Sequence, residues 1–71
     1  MVTKKQALNH NRTVVADVSA VLLENHIVDP FAFLEDQEFA AKMIQRYINA
    51  ANKVRPMMGL PKLFLYNMEE F

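Results

Sequence analysis

Asp36–Val54 reads DQEFAAKMIQRYINAANKV, and its spacing decides the fold. At about 100° per residue, Ala40, Met43, Ile44, Tyr47, Ile48, Ala51 and Val54 gather on one broad face. Lys42, Arg46, Asn49 and Lys53 fall in a narrow stripe on the opposite face. Asp36 and Glu38 sit at the start, where negative charge meets the positive end of the helix dipole. Pro56 ends the pattern, because the residue before a proline avoids the α region. The spacing predicts an amphipathic helix over 36–54, and its apolar face must lie against something.

Upstream, the triplet Val28-Asp29-Pro30 punctuates the chain. Asp29 is a good N-cap, and Pro30 suits the first helical position, where its missing N–H would be unpaired anyway. A short helical turn is expected over 30–34. Before it, Val14, Val15, Val18, Val21 and Leu22 recur at helical spacing, with Ala16, Leu23 and Ile27 on the flank and only Asp17 and Glu24 marking a polar stripe. The valines also favour strands, but strict alternation fails at Asp17 and Ser19. A helix is predicted over about 11–26. Thr3 and Gln6 have the spacing of a capping box. The run Asn9-His10-Asn11-Arg12 is poor helix, so residues 1–10 are expected to be flexible or weakly helical.

Downstream, Gly59 supplies a turn and Pro61 a helix start. Leu60, Leu63, Phe64, Met68 and Phe71 are near helical spacing, which predicts a third helix over 61–69. Leu60, Leu63 and Phe64 would then pack on the apolar face of the 36–54 helix. Glu69 and Glu70 oppose the negative end of such a helix, so Met68 and Phe71 read better as an acidic-apolar docking tail. The sequence therefore predicts an all-α fold over 1–71: a single domain of three main helices, about 11–26, 36–54 and 61–69, with a turn at 30–34.

Composition sets the energetic problem. The chain has 71 residues, 52% of them hydrophobic, slightly above the usual range for soluble domains. A chain this short buries only about 60% of its unfolded surface, and its core supplies about 3–5 kcal/mol. It has no cysteine, so no disulfide reinforces it. Association with another chain is the remaining common reinforcement. The segment Val14–Leu23 is apolar nearly all round, as in helices covered on most sides. Val14, Val18, Val21 and Leu22 are accordingly expected to form an oligomer interface.

The 8 basic and 8 acidic residues cancel in total but are segregated. Lys4, Lys5 and Arg12 open the chain; 6 acids and no Lys or Arg occupy 17–38; 5 basic residues and no acid occupy 42–62. Either the two blocks neutralise each other inside the molecule, or they make a bipolar surface. In the second case Lys42, Arg46, Asn49 and Lys53 would meet an acidic protein or nucleic acid, with Met68 and Phe71 as further partner contacts.

Catalytic chemistry is expected to be absent. A single glycine builds neither a P-loop nor a dinucleotide-binding turn. The single serine, Ser19, lies in a helical pattern with no nucleophile-elbow context. His10, Asp17 and Glu24 fall on one helical stripe but are seven residues apart, about 10.5 Å per step, too far to share an ion. No catalytic, cofactor or metal residues are expected. No stretch resembles a membrane span or a secretory leader, since Asp17 and Ser19 interrupt the longest apolar run and Asn9–Arg12 breaks the N-terminal one. A cytoplasmic setting is the expectation. The functional expectation is a small non-catalytic binding or regulatory protein acting through protein contacts, as a homo-oligomer or a partner-bound subunit. The alternative is a helical DNA-binding regulator using the basic face of the 36–54 helix.

Overall fold

The computed structural model describes all 71 residues and is all-α, with no strand. Helix α1 spans Lys4–Glu24, α2 Pro30–Glu35 and α3 Gln37–Val54; 3-10 turns follow at Arg55–Met58 and Met68–Glu70. Helix α3 packs against α1 and α2, and the last 3-10 turn lies against α1.

Helix α1 starts seven residues earlier than the poor local propensity predicts. Its N-terminus is held by a complete capping box: the Gln6 N–H donates to the Thr3 hydroxyl at 3.2 Å, and the Thr3 N–H donates to the Gln6 side chain at 2.9 Å. Ala7 is fully buried on the first turns. The weak helix formers that follow are compensated by tertiary partners. Asn11 and His10 both bond the backbone of the closing segment. Propensity differences of a few tenths of a kcal/mol are smaller than these contacts.

The exit of α1 is a Schellman motif. His26 takes the left-handed position at φ 55°, its N–H donates to the Leu23 carbonyl, and the Ile27 N–H donates to the Leu22 carbonyl. The chain thereby turns tightly enough for buried Val28 to join the core two residues before α2 begins. As expected, Asp29 caps α2 by accepting from the Phe31 N–H at 3.0 Å, with Pro30 in the first turn. Asp36 alone separates α2 from α3. Its extended backbone breaks the helix, and its carboxylate accepts from the Phe39 N–H at 3.0 Å to start the next one.

The core is a single cluster of Val14, Val18, Leu22, Val28, Phe33, Ile44 and Ile48, with Leu23, Phe39, Ala40, Met43, Tyr47 and Leu63 against its edge. The apolar face of α3 thus finds its cover in α1 and α2. The oligomer interface expected at Val14, Val18, Val21 and Leu22 is corrected by this packing. Val14, Val18 and Leu22 are buried inside the chain, and Val21 is half-buried. The outer side of α1 carries exposed Val15, Ala16 and Ala20, so the apolar girth is divided between core and solvent.

The third helix does not form. Residues 61–67 run without regular structure, and only the short turn Met68–Glu70 follows. The reason is that this strap's backbone groups are already bonded to the helices. The Leu63 N–H and carbonyl both pair with the Asn52 side chain, at 2.6 and 2.8 Å. The Tyr66 N–H and carbonyl both pair with the Asn11 side chain, at 2.8 and 2.9 Å. A helix of about nine residues is marginal by itself and would have to give up all four bonds. Within the strap only Leu63 reaches the core edge; Leu60 and Phe64, 43% and 49% exposed, stay outside it, which corrects their expected packing on α3.

The molecule is thin. Its extents are 38 × 31 × 15 Å and its radius of gyration is 13.1 Å, against about 11 Å for a compact chain of this length.

Candidate functional site

Helix α3 presents the basic stripe to solvent: Lys42, Arg46, Asn49 and Lys53 are all exposed. Their exposure follows from the burial of Ile44 and Ile48 on the other side. Asn49 is less free than the rest, since its side-chain carbonyl accepts from the Gln45 amide at 2.9 Å. Reversing charge at both Arg46→Glu and Lys53→Glu should leave the helical circular dichroism intact and the melting temperature within a few degrees. Exposed substitutions of this kind usually shift stability by less than about 0.5 kcal/mol. A cooperative loss of helix in the double variant would show that the stripe is structural.

The two ends of α3 carry apolar patches instead. Beside its start, Phe31 and Leu34 of α2 are 75% and 73% exposed, with Ile27 nearby in sequence and also exposed. Their i, i+3 spacing puts them on one face of α2, while Phe33 turns inward. At its end, Met57 and Met58 are 79% and 68% exposed, with Val54 and Leu60 flanking them in sequence and also exposed. An 18-residue helix separates the patches, roughly 27 Å along its axis. Methionines are adaptable contact residues.

Between α1 and α3 lies an open concavity of about 300 Å³. Val14, Val18, Val21, Tyr47 and Leu63 form its apolar lining, and Asp17 and Arg55 bring one charge of each sign. Arg55 is held by its Nε–H, which donates to the Pro61 carbonyl at 2.7 Å.

The strap crosses from α3 to α1 and meets a small aromatic cluster. His10 Nε2 lies 3.0 Å from the Phe64 carbonyl oxygen. A carbonyl only accepts, so the Nε2 carries the proton. The His10 ring stacks on Phe64 at 4.4 Å between centroids and meets Tyr66 edge-on at 5.1 Å. Phe71 meets Tyr66 edge-on at 5.9 Å. His10 is therefore an aromatic and hydrogen-bonding anchor, set apart from the stripe it shares with Asp17 and Glu24. No group of three or more His, Asp or Glu side chains is placed to hold a metal ion. Met68 is half-buried, while Phe71 is more open, at the rim of the aromatic cluster.

The expected partner residues are thus not gathered in one place. Lys42, Arg46, Asn49 and Lys53 form a stripe on α3, whereas Met68 and Phe71 belong to the segment after the strap. Asn11 and Asn52 were missed by the sequence reading, yet a signal was present. Asn52 continues the row Ile44, Ile48 at i+4 spacing, and Asn11 falls between Ala7 and Val14 on the buried row of α1. A polar residue in an apolar row needs a partner, and here the partner is the strap backbone.

No helix is long and apolar enough to cross a membrane. Compared with known proteins, the chain matches no family model, no curated protein and no solved structure.

Proposed function

We propose that this chain is a small non-catalytic binding or regulatory protein that works through protein contacts, as a homo-oligomer or as a partner-bound subunit. The observation that supports it is an excess of surface. The chain exposes 5642 Å² at a mass of 8.2 kDa, whereas a folded monomer of that mass typically exposes about 4,500 Å². The difference, about 1,100 Å², is comparable to the roughly 800 Å² that one partner contributes to a standard interface. The patches at Phe31 and Leu34 and at Met57 and Met58 are the parts of that surface whose covering would yield most, at about 25 cal/mol per Å² of apolar area. The absence of cysteine fits a reducing, cytoplasmic setting.

The alternative, DNA binding through α3, has the exposed Lys42, Arg46 and Lys53 in its favour. Against it, a recognition helix reads bases with its N-terminal residues. Here the approach to α3 carries Glu35, Asp36 and Glu38, which repel phosphate.

The test pairs the wild-type chain with a Phe31→Ser, Leu34→Ser variant. Light scattering from micromolar to millimolar concentration reads self-association, and affinity capture from the native host reads a different partner. The variant should keep its helical spectrum and lose part of the association. A wild-type chain that stays monomeric and captures nothing ends this reading. Binding to random duplex DNA that falls steeply with salt moves it to the alternative.

A further inference from the structure

We propose that the strap is exchanged between two copies of this chain, each seating its residues 61–67 in the partner's cleft between α1 and α3. The inference rests on the reading of the chain as a protein-contact module, and it names both the partner and the segment that joins them.

Three observations carry it. First, the strap is held in a way that another copy reproduces completely. Six side-chain hydrogen bonds reach its backbone: five from the helices, by His10, Asn11 twice and Asn52 twice, and one from Arg55 at the end of α3. The remaining bond, from the Glu70 N–H to the Asn67 carbonyl, stays within the closing segment and travels with it. No strap residue is fully buried. Detaching the strap therefore opens no core cavity, and docking it on a second copy remakes the same bonds, the same seat for Leu63 and the same His10–Phe64 stack.

Second, the connection to α3 is a hinge. The 3-10 turn Arg55–Met58 closes on Gly59, which sits at φ 75° with no atom within 4 Å of where a side chain would begin. A short closed turn that depends on one left-handed glycine is a place where a modest change in backbone reverses the choice between folding back and reaching across.

Third, the hinge has the wrong surface for a closed monomer. Val54, Met57, Met58 and Leu60 are all exposed apolar residues, and they bracket the turn. In an exchanged pair the two hinges run between the same two bodies, so these side chains gain cover there. A partner of unrelated sequence would cover the hinge without supplying a Leu-Phe-Leu-Tyr strap to the cleft. A second copy supplies both.

The experiment uses the full chain. Equal amounts of carbon-13, nitrogen-15-labelled and unlabelled protein are unfolded together, refolded and concentrated to the millimolar range. An isotope-filtered nuclear Overhauser spectrum then reads contacts between the His10 and Phe64 rings. The expected result is His10–Phe64 cross-peaks between labelled and unlabelled chains in the dimer. Gly59→Val adds an arm with an unusual sign. A β-branched residue in the left-handed region is disfavoured roughly tenfold, so opening both hinges should raise the dimerisation constant by about a hundredfold.

A dimer whose His10–Phe64 contacts stay within one chain overturns the exchange and leaves the protein-contact reading standing. A chain that is monomeric alone yet captures a different protein does the same. If Gly59→Val fails to fold, the wild-type spectrum still decides.

Discussion

Val18→Asp is expected to unfold the protein outright. Val18 is 3% exposed and sits in the middle of the α1 contribution to the core, one turn after Val14 and one before Leu22. A carboxylate there has no basic partner in the core cluster, where every buried residue is hydrophobic. Removing an unpaired charge from water costs several kcal/mol even after relaxation. A core of this size supplies about 3–5 kcal/mol in all. Leu22→Ala tests the same core without a charge. Leu22 is 2% exposed, and truncating a buried leucine costs about 3–5 kcal/mol, so this variant should lose most of its cooperative melt. Val15→Asp is the control, since Val15 is a third exposed on the same helix. It should melt close to wild type. Circular dichroism melts of the three variants decide the matter. If Val18→Asp folds normally and only lowers the assembly mass, α1 presents that face to another chain and the packing described above is wrong.

The burial of this valine face also shows what sequence can and cannot convey in so small a chain. Helix α3 was legible because its signals are local, one apolar face and an acidic start at Asp36 and Glu38. Pro56 marked its end for a different reason from the one expected, since Arg55 before it stays in the α region and the chain tightens into the 3-10 turn Arg55–Met58. The Asp29-Pro30 start of α2 was legible for the same reason. Whether the valine face of α1 is core or interface was not, because an apolar stripe has the same spacing whichever chain covers it. The strap was harder still. Its spacing of Leu60, Leu63, Phe64, Met68 and Phe71 fits a helix, and nearby in sequence only Glu69 and Glu70, at its far end, argue against one. The deciding bonds come from Asn11 and Asn52, separated from their partners by 55 and 11 residues. Local propensity has no access to such a separation. The two asparagines in apolar rows were the only trace of it.

Asn52 is therefore where a single polar atom should have the largest effect. Its side-chain oxygen accepts from the Leu63 N–H at 2.6 Å, and its amide donates to the Leu63 carbonyl at 2.8 Å. Asn52→Ala removes both bonds and leaves a half-buried N–H and carbonyl without partners. At about 1 kcal/mol per bond plus part of the desolvation cost, the loss should be about 2–3 kcal/mol. It should take the form of strap release. The core of Val14, Val18, Leu22, Ile44 and Ile48 does not involve Asn52, so the helical spectrum should persist. The His10–Phe64 ring contacts should disappear, and limited proteolysis should cut within 60–67. Asn52→Asp sharpens the test because it changes one donor into an acceptor at constant shape. Its new carboxylate still accepts from the Leu63 N–H but now faces the Leu63 carbonyl oxygen, and two acceptors at that distance repel. The protonated carboxyl can donate as the amide did, so folding favours the protonated form and raises the group's pKa above its unfolded value of about 3.9. Such a group contributes its stability fully below the unfolded pKa and loses it as pH rises through the folded one. Measured against wild type at each pH, Asn52→Asp should be nearly as stable in acid and about as damaged as Asn52→Ala at neutrality. A stability difference that stays the same across that range would mean that the amide does not hold the strap.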